Sequence, residues 1–209
     1  MEDAVLIFCA HRWEAAPFLE NLDLRPVSSA SLPFPEFRHP DGEVALFLTG
    51  QGPLRAAAVV ASVLSRLPRN DSRVVANFGT SGGHEDSFQI GESVLINRSV
   101  AVDSGERFYP DRLARSDWPE TTCYTLSRPA PKIDSSPADG VFDLELSGIL
   151  AGASLYLHSS QIVAGKLVSD YLADEPPDWR QMVESITEPY RLACLAFLEL
   201  LDTHRSLLE

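Results

Sequence analysis

Three carboxylates that follow predicted buried segments are the residues from which a chemical function of this chain can best be inferred. Glu145 ends the segment Val-Phe-Asp-Leu-Glu, Asp170 ends the segment Leu-Val-Ser-Asp, and Glu14 follows the first apolar run. Side chains at the carboxyl ends of strands line the ligand crevice of open α/β sheets. Carboxylates in such a crevice accept hydrogen bonds from hydroxyl groups and hold or donate a proton. The three residues therefore indicate a site that handles a polyol and a proton.

Each of these carboxylates also has a purely structural interpretation. Glu14 lies early in a predicted helix, where the helix dipole favours a negative charge in any case. Asp143 and Glu145 precede a predicted helix, and Asp143 is the better candidate for its N-cap. Glu145 is followed by small and apolar residues, which favours its partial enclosure. Asp170 ends an apolar strand, which is the stronger indication of a ligand site.

Two glycine-rich segments follow predicted strands, Gly-Gln-Gly at 50–52 and Gly-Thr-Ser-Gly-Gly at 79–83. Glycine lets a backbone approach a ligand closely, although a tight exit from a strand explains either segment as well. The second segment lacks the Gly-Lys-Ser/Thr ending of a P-loop and the glycine spacing of a dinucleotide fingerprint. No nucleophile elbow surrounds Ser81, which disfavours a serine hydrolase.

Composition narrows the class of protein. The chain has 209 residues, a net charge of -13 and a pI of about 4.7, so it repels phosphate backbones and is not expected to bind nucleic acid. It shows neither an apolar run long enough for a bilayer nor a signal peptide, which predicts a cytoplasmic protein without membrane contact. Three widely spaced cysteines read as reduced, buried thiols. No pair of His or Cys has metal-ligand spacing, so no metal is expected.

Alternating strand and helix patterns predict the elements that position these residues. Residues 1–209 read as a single α/β domain with a mixed or mainly parallel sheet and helices on both faces. Residues 104–140, rich in Pro and Ser, read as loops with at most short strands. The predicted strands are 4–10, 34–38, 43–49, 73–78, 92–102 and 161–169. The predicted helices are 11–20, 54–67, 144–157 and 179–208, the last broken or kinked near Pro189.

In order and spacing these pieces resemble the nucleoside phosphorylase/nucleosidase superfamily. They are most similar to its hydrolytic branch, typified by 5'-methylthioadenosine/S-adenosylhomocysteine nucleosidase and futalosine hydrolase. Leu144 stands where the family's Met-Glu motif has methionine, and Val-Ser-Asp at 168–170 resembles its Ile-Ser-Asp motif. The segments that carry the resemblance are 6–14, 49–52, 77–83, 90–94, 142–145 and 168–170.

The resemblance implies a three-layer α/β/α fold with a mixed, twisted central sheet, and it implies roles for individual residues. Glu14 matches the carboxylate that positions or activates the attacking water. Glu145 matches the carboxylate that binds the ribose hydroxyls and stabilises the developing cation. Asp170 matches the acid that protonates the leaving purine. The substrate-binding candidates are Gly50, Gln51, Thr80, Ser81, Gly82 and Leu144, with Leu144 packing under the ribose.

Departures from the family pattern shape the expected activity. No arginine precedes Gly79, which favours water over phosphate as the nucleophile, while Arg12 and Arg55 keep phosphorolysis open. The stretch before Asp143 is short, so the base pocket is truncated or rebuilt, and purine specificity follows only from the Asp170 match. By the same resemblance, a homodimer is expected in which the neighbouring subunit's 5' pocket receives apolar residues. The candidates for that contribution are Phe108, Tyr109 and Pro110.

The sequence therefore predicts an N-ribosyl hydrolase that cleaves the glycosidic bond of a purine nucleoside or a related metabolite, with no metal or organic cofactor. A phosphate-dependent phosphorylase of the same fold is the first alternative. A nucleoside-binding protein that kept the three carboxylates but lost turnover is the second. The chemistry fits the residue types, because carboxylates stabilise the oxocarbenium-like cation formed when a glycosidic bond breaks.

Overall fold

The computed structural model describes residues 4–27, 33–129, 139–172 and 178–208. The helices are α1 (Arg12–Asn21), α2 (Pro53–Leu64), α3 (Leu146–Ser154) and α4 (Trp179–Ser206). The first five strands are β1 (Val5–Cys9), β2 (Arg25–Pro26), β3 (Glu36–Arg38), β4 (Val44–Leu48) and β5 (Val74–Gly83). The other five are β6 (Ser93–Ala101), β7 (Arg107–Phe108), β8 (Glu120–Thr125), β9 (Gly140–Asp143) and β10 (Ile162–Tyr171).

The strands of the described residues form one mixed sheet. Strands β5, β10, β6, β8 and β9 pair in a closed ring, because β5 is bonded both to β10 and to β9. From β5 the sheet continues outward through β1, β4, β3 and β2. Strand β5 belongs both to the ring and to the open sheet, so it pairs with β1, β9 and β10.

Two apolar cores cover the two faces of the sheet. On one face, α1 and α4 contribute Phe18, Tyr190 and Phe197, all fully or almost fully buried. On the other face, α2 and α3 contribute Val60 and Ile149, which have no exposed surface. The predicted class, helices on both faces of a mixed sheet, is confirmed. None of the described helices is both long and apolar enough to cross a bilayer.

The edge of β5 that faces β1 is left open over a short stretch. Strand β1 pairs with β5 from Val74 to Ala76, and β9 pairs with it at Gly82. Among the described strands, none bonds to the residues between these two contacts on that side. Buried backbone groups must be hydrogen-bonded, so a side chain or a ligand has to serve this stretch. The cleft described below opens at this gap.

The expectation that residues 104–140 hold at most short strands is wrong. Strand β8 is six residues long and lies in the ring between β6 and β9. Its sequence is rich in threonine, which has strand propensity but does not give a buried strand an apolar signature. The hydroxyl groups are satisfied by specific partners: Thr121 bonds to the Asp139 carbonyl and Thr125 to the Asp143 carboxylate.

Two element boundaries and the continuity of one helix also differ from the predictions. Strand β5 continues through Gly83, where a loop is predicted after Phe78, because β10 stays paired with it as far as Gly83. Helix α3 begins at Leu146, two residues later than predicted. Helix α4 runs uninterrupted past the exposed Pro189 and is anchored on either side by buried residues.

Helices α2 and α3 pack too closely for a side chain at Gly148. A Cβ there would lie 2.0 Å from the Pro53 carbonyl oxygen, at the start of α2. We expect Gly148→Ala to lower the free energy of unfolding by about 2–3 kcal/mol, since the helices must separate to admit the methyl group. Chemical denaturation measures this change. Ser154→Ala, at the exposed end of the same helix, is the control and should change stability by less than about 0.5 kcal/mol.

Candidate active site

A cleft of about 500 Å³ opens beside the free edge of β5, a volume typical of small-molecule sites. All three predicted carboxylates, Glu14, Glu145 and Asp170, line it. Five of the six predicted substrate-binding residues also line it, and these are Gln51, Thr80, Ser81, Gly82 and Leu144. Most of the remaining lining residues belong to α4 and β9. The full lining is His11, Glu14, Gln51, Thr80, Ser81, Gly82, Pro129, Phe142, Asp143, Leu144, Glu145, Ser169, Asp170, Trp179 and Met182.

Glu14 satisfies the open edge of β5. It lies in the first turn of α1 and is only 5% exposed. Its Oε1 accepts hydrogen bonds from the Thr80 N–H at 3.1 Å and the Thr80 hydroxyl at 3.3 Å. Its Oε2 accepts from the His11 N–H at 3.0 Å. These bonds fix the carboxylate across the gap between β1 and β9, with its oxygens at the cleft wall.

Glu145 stands at the N-cap position of α3, with its side chain turned into the cleft. Its Oε1 accepts from the Gly52 N–H at 2.9 Å. Gly52 has a φ of 103°, a conformation that favours glycine, and this turn directs the N–H toward the carboxylate. Burial and the nearby Asp143 charge raise the pKa of Glu145 to about 7, against the opposing effects of the Gly52 bond and Lys166. Glu145 therefore changes charge near neutral pH.

Asp170 reaches the cleft because β10 contains a bulge. The register with β5 shifts between Val168 and Asp170, so that Asp170 lies opposite Gly82. A Cβ at Gly82 would lie 3.5 Å from Asp170 Oδ2. Bulges commonly re-aim a side chain in this way beside active sites. Burial raises the pKa of Asp170, partly opposed by a 2.5 Å hydrogen bond from the Ser169 hydroxyl.

Glu14 and Asp170 approach the same stretch of β5. Glu14 binds at Thr80 and Asp170 lies beside Gly82, two residues further along. Residues two apart in a strand project to the same face and are separated by about 6.6 Å. A ligand laid along this stretch would meet both carboxyl groups.

Asp143, which lines the cleft, forms a buried ion pair with Lys166, which does not. Lys166 Nζ lies 2.8 Å from Asp143 Oδ2, and the two side chains are 2% and 1% exposed. Burial opposes the charge on Asp143, but Lys166 and the surrounding hydrogen bonds outweigh it and hold the pKa below its ordinary value. Burial likewise opposes the charge on Lys166, and Asp143 raises the pKa of the lysine above its usual range. Both groups are therefore charged at neutral pH.

The predicted glycine-rich segments contribute unequally to the cleft. Thr80 and Gly82 face it, whereas the Ser81 hydroxyl is buried and lies 3.5 Å from the Leu167 carbonyl, so Ser81 contributes backbone. Gln51 lines the cleft. Gly50 lies outside the lining, with the Arg55 guanidinium packed against its α-carbon side.

Several lining residues were not singled out from the sequence. Trp179 and Met182 enter from the first turn of α4, which packs near α1, and the Trp179 ring lies 6.1 Å from that of His11. Trp179 is 49% exposed. Their only signal in the sequence is an aromatic residue at a predicted helix start, which does not reveal what the helix faces.

The residues proposed for a neighbouring subunit's 5' pocket lie away from this cleft. Phe108 lines a second, mainly apolar cavity of about 310 Å³, together with Leu54 and Val102. Tyr109 is 56% exposed, and Pro110 lines a different depression. Within one chain these residues thus take no part in the cleft that holds the carboxylates.

Part of the predicted base pocket lies outside the described residues. The shortened stretch before Asp143 includes residues 130–138, which are not described, although Pro129 lines the cleft at the start of that stretch. Asp178 follows a further undescribed segment, 173–177; it is exposed and caps α4 by accepting from the Arg180 and Gln181 N–H groups.

Comparison with known proteins identifies the architecture around this cleft. A family model described as the phosphorylase superfamily matches residues 4–169. The chain belongs to the phosphorylase superfamily. The match spans β1 to β10, and it includes Glu14, Glu145 and the residue before Asp170. The family predicted from the six motifs is thereby confirmed. No curated protein sequence is significantly similar to the chain.

Solved structures of superfamily members share the fold across nearly the whole chain. The 5'-methylthioadenosine/S-adenosylhomocysteine nucleosidase of Colwellia psychrerythraea 34H, solved with adenine, superposes with a TM-score of 0.77 at 19% identity, covering 97% of this chain and 96% of that one. The Streptococcus pneumoniae enzyme with 8-aminoadenine gives 0.75 at 18% identity, covering 97% and 100%. Futalosine hydrolase of Helicobacter pylori gives 0.71 at 12% identity, covering 94% and 96%.

The raised pKa of Glu145 leads to a prediction about stability. The pKa of Glu145 is about 7 in the folded protein, whereas its ordinary value is 4.5. Between pH 4.5 and about 7, the folded protein therefore keeps a proton on Glu145 that the unfolded chain releases. Above pH 7 both states are ionised, and burial of the charge then destabilises the fold by at most about 3 kcal/mol. We expect Glu145→Gln to raise the free energy of unfolding at pH 8 by about 1–3 kcal/mol. The gain should shrink as the pH falls from 7 to 4.5.

Urea unfolding at pH 8 and at pH 5 measures this gain. The matched control is Glu184→Gln, on the exposed side of α4, which should leave stability unchanged at both pH values. A Glu145→Gln protein no more stable than wild type at pH 8 would show that burial of this carboxylate does not strain the fold.

Proposed function

We propose that this protein is an N-ribosyl hydrolase that cleaves the glycosidic bond of a purine nucleoside or a related metabolite. The observation that carries the proposal is the convergence of Glu14, Glu145 and Asp170 on one cleft, with the pKa values of Glu145 and Asp170 raised. Perturbed carboxyl groups in a concave site are typical of general acid–base machinery. The superfamily fold and the nucleosidases that share it support the same reaction.

In the proposed reaction the bond between the ribose C1' and the base breaks, and its electron pair leaves with the base. Asp170 donates its proton to a base nitrogen, so the base departs neutral. Glu145 accepts hydrogen bonds from ribose hydroxyls and stabilises the positive charge that develops on the sugar. Glu14 orients a water molecule toward C1' and accepts its proton as the new C–O bond forms.

The environment of Ser169 supports Asp170 as the acid. The Ser169 hydroxyl oxygen lies 2.5 Å from Asp170 Oδ1 and 3.2 Å from the Ser81 carbonyl oxygen. A hydroxyl group has one proton, so it cannot donate to both acceptors at once. When it donates to the Ser81 carbonyl, it accepts from Asp170, and the short contact is then a bond donated by a protonated carboxyl group. The geometry thus accommodates the proton-loaded form.

The surroundings of the arginines favour water over phosphate. Within the described part of the chain, no arginine lines the cleft. Arg12 instead lies over the Phe37 ring, 5.3 Å from its centroid. Arg55 packs against Gly50, outside the lining. Arginine is well suited to phosphate because it offers paired N–H donors, and neither of these two side chains is aimed into the cleft.

We also propose that the protein acts as a homodimer in the cytoplasm. The 310 Å³ apolar cavity around Phe108 adjoins Leu54, which is 87% exposed, and such a patch suits a subunit interface. The three buried, free cysteines are typical of a reducing compartment. Light scattering of the purified protein, compared with a Leu54→Asp variant, tests the dimer, which the variant should weaken.

The reaction is tested by release of free base from a nucleoside panel, with and without phosphate, followed by chromatography. The panel comprises methylthioadenosine, S-adenosylhomocysteine, inosine, futalosine and deoxyadenosine. We expect release without phosphate. Release only with phosphate, yielding ribose 1-phosphate, would establish a phosphorylase. Tight binding without any release would establish a nucleoside-binding protein.

Amide variants test the proposed roles. Glu145→Gln and Asp170→Asn should each lower kcat by about 10²–10⁴-fold, since each removes a group that acts on the transition state. Circular dichroism should show an unchanged fold. Glu184→Gln should keep wild-type turnover. An amide variant with full turnover would exclude that residue from the reaction.

The pH dependence follows from the charge on Glu145. Glu145 must be ionised to stabilise the cation, and its pKa is about 7. Because Asp170 must carry its proton in the same reaction, kcat/KM should follow a bell-shaped pH profile, in which the limb that rises with pH reports Glu145 and the limb that falls reports Asp170. A pH series with the best substrate of the panel measures both limbs. A profile without a rising limb would contradict the role of Glu145.

A further inference from the structure

The proposed reaction assigns no role to the buried ammonium group of Lys166. The lysine lies in the middle of β10, and its side chain is 2% exposed. Its partner Asp143 lines the cleft, and replacing a buried ion pair by apolar residues is often neutral or stabilising. Stability of the fold is therefore a weak reason for keeping the pair, and its contacts indicate a second role.

Asp143 connects the lysine to the start of α3. Besides Lys166, Asp143 Oδ2 accepts from the Leu146 N–H at 2.8 Å. Asp143 Oδ1 accepts from the Thr125 hydroxyl at 2.6 Å, and the Thr125 oxygen accepts from the Ser147 N–H at 2.9 Å. The first turn of α3 is thus tied to the ion pair through two backbone groups. Glu145 is the residue immediately before that turn, so its backbone position depends on the same contacts.

On the other side, the lysine adjoins Glu14. A Cβ placed on Gly79 would lie 3.0 Å from Glu14 Oε1 and 3.6 Å from Lys166 Nζ. The ammonium group and the Glu14 carboxylate therefore flank the same point of β5. Because Gly79 has no side chain, nothing from that residue separates them.

We propose that Lys166 is a positioning residue, the shared buried cation that holds Glu145, through Asp143, and Glu14 in their places at the cleft. This inference rests on the proposed function and adds a residue to it. Lys166 does not line the cleft, so it acts on the reaction only through the two carboxylates.

The charges around Glu145 predict the direction in which its pKa moves when one of them is removed. The charged groups that act on Glu145 are Asp143, Lys166 and Glu14, and the Gly52 N–H donates to it. Lys166 itself faces Asp143, Glu145 and the Cys123 thiol, which burial keeps neutral. Asp143 raises the pKa of Glu145 and Lys166 lowers it. Loss of the cation should therefore move the pKa of Glu145 up, and loss of the Asp143 charge should move it down.

The test compares Lys166→Met, Asp143→Asn and the double variant with wild type. The Glu145 carboxyl is titrated by carbon NMR of protein labelled at glutamate, with the resonance assigned from Glu145→Gln. We expect its midpoint to shift up in Lys166→Met, down in Asp143→Asn, and back toward wild type in the double variant. The exposed pair Arg69 and Asp71 provides the matched controls, Arg69→Met and Asp71→Asn, which should shift nothing.

Turnover of the same proteins separates positioning from a purely structural role. The double variant leaves no unpaired buried charge, so it should fold even where Lys166→Met does not. We expect the kcat of the double variant to remain at least ten-fold below wild type, because Glu14 and Glu145 have lost the cation. Lys166→Arg keeps a cation, so its kcat should lie between that of Lys166→Met and that of wild type.

A double variant with wild-type kcat, or midpoints for Glu145 that do not move, would overturn the proposal and leave Lys166 as part of the core. The NMR titration needs no turnover. If wild type releases no base from any nucleoside, the proposed reaction fails while the titration still decides whether Lys166 acts on Glu145.

Discussion

The division of one edge of β5 between two strands is the constraint on which the rest of the structure depends. Strand β1 leaves that edge after Ala76, and β9 arrives only at Gly82. The backbone between them must be bonded by something other than a strand, and Glu14 supplies the acceptor for Thr80. A carboxylate is thereby brought into a cleft for a structural reason, and this places it where the proposed reaction requires one. Strands β10 and β9 both pair with β5, and they bring Asp170 and Glu145 to the same gap.

Electrostatics explains why four carboxyl groups can share so small a region. Each has its own compensation: Glu14 has two N–H groups and a hydroxyl, Asp143 has Lys166, Glu145 has the Gly52 N–H, and Asp170 has Ser169. Asp143, which has the lysine, has a lowered pKa and stays ionised, whereas Glu145 and Asp170, which each have a single partner, have raised pKa values. Differences in compensation therefore divide chemically similar side chains into fixed anchors and groups that can change their charge.

The sequence predicted the family, and which carboxylates line the cleft, better than it predicted how the elements around them are arranged. The three carboxylates stand at element ends, where local pattern and motif order both identify them, and the helices on both faces follow from alternating periodicity. Strand β8 was missed because threonines bonded to one particular partner each look like a polar loop in sequence. The bulge at Ser169 and the pairing of Asp143 with Lys166 depend on contacts between distant segments. Trp179 was missed for the same reason, since only packing shows which way the start of α4 faces.

The contact between Gly148 and Pro53 has a consequence for how this site can diverge. It joins the start of α2, with the Gly52 N–H, to the helix that follows Glu145, and leaves no room for a side chain between them. The part of the cleft wall that carries Glu145 is therefore held as one unit with the start of α2, so a substitution that moves either helix would also move this carboxylate. Among the described residues, no glycine contact of this kind holds Trp179, Met182 or Pro129, which line the same cleft. Substitutions at those three positions should change the shape of the cleft with less effect on the position of Glu145.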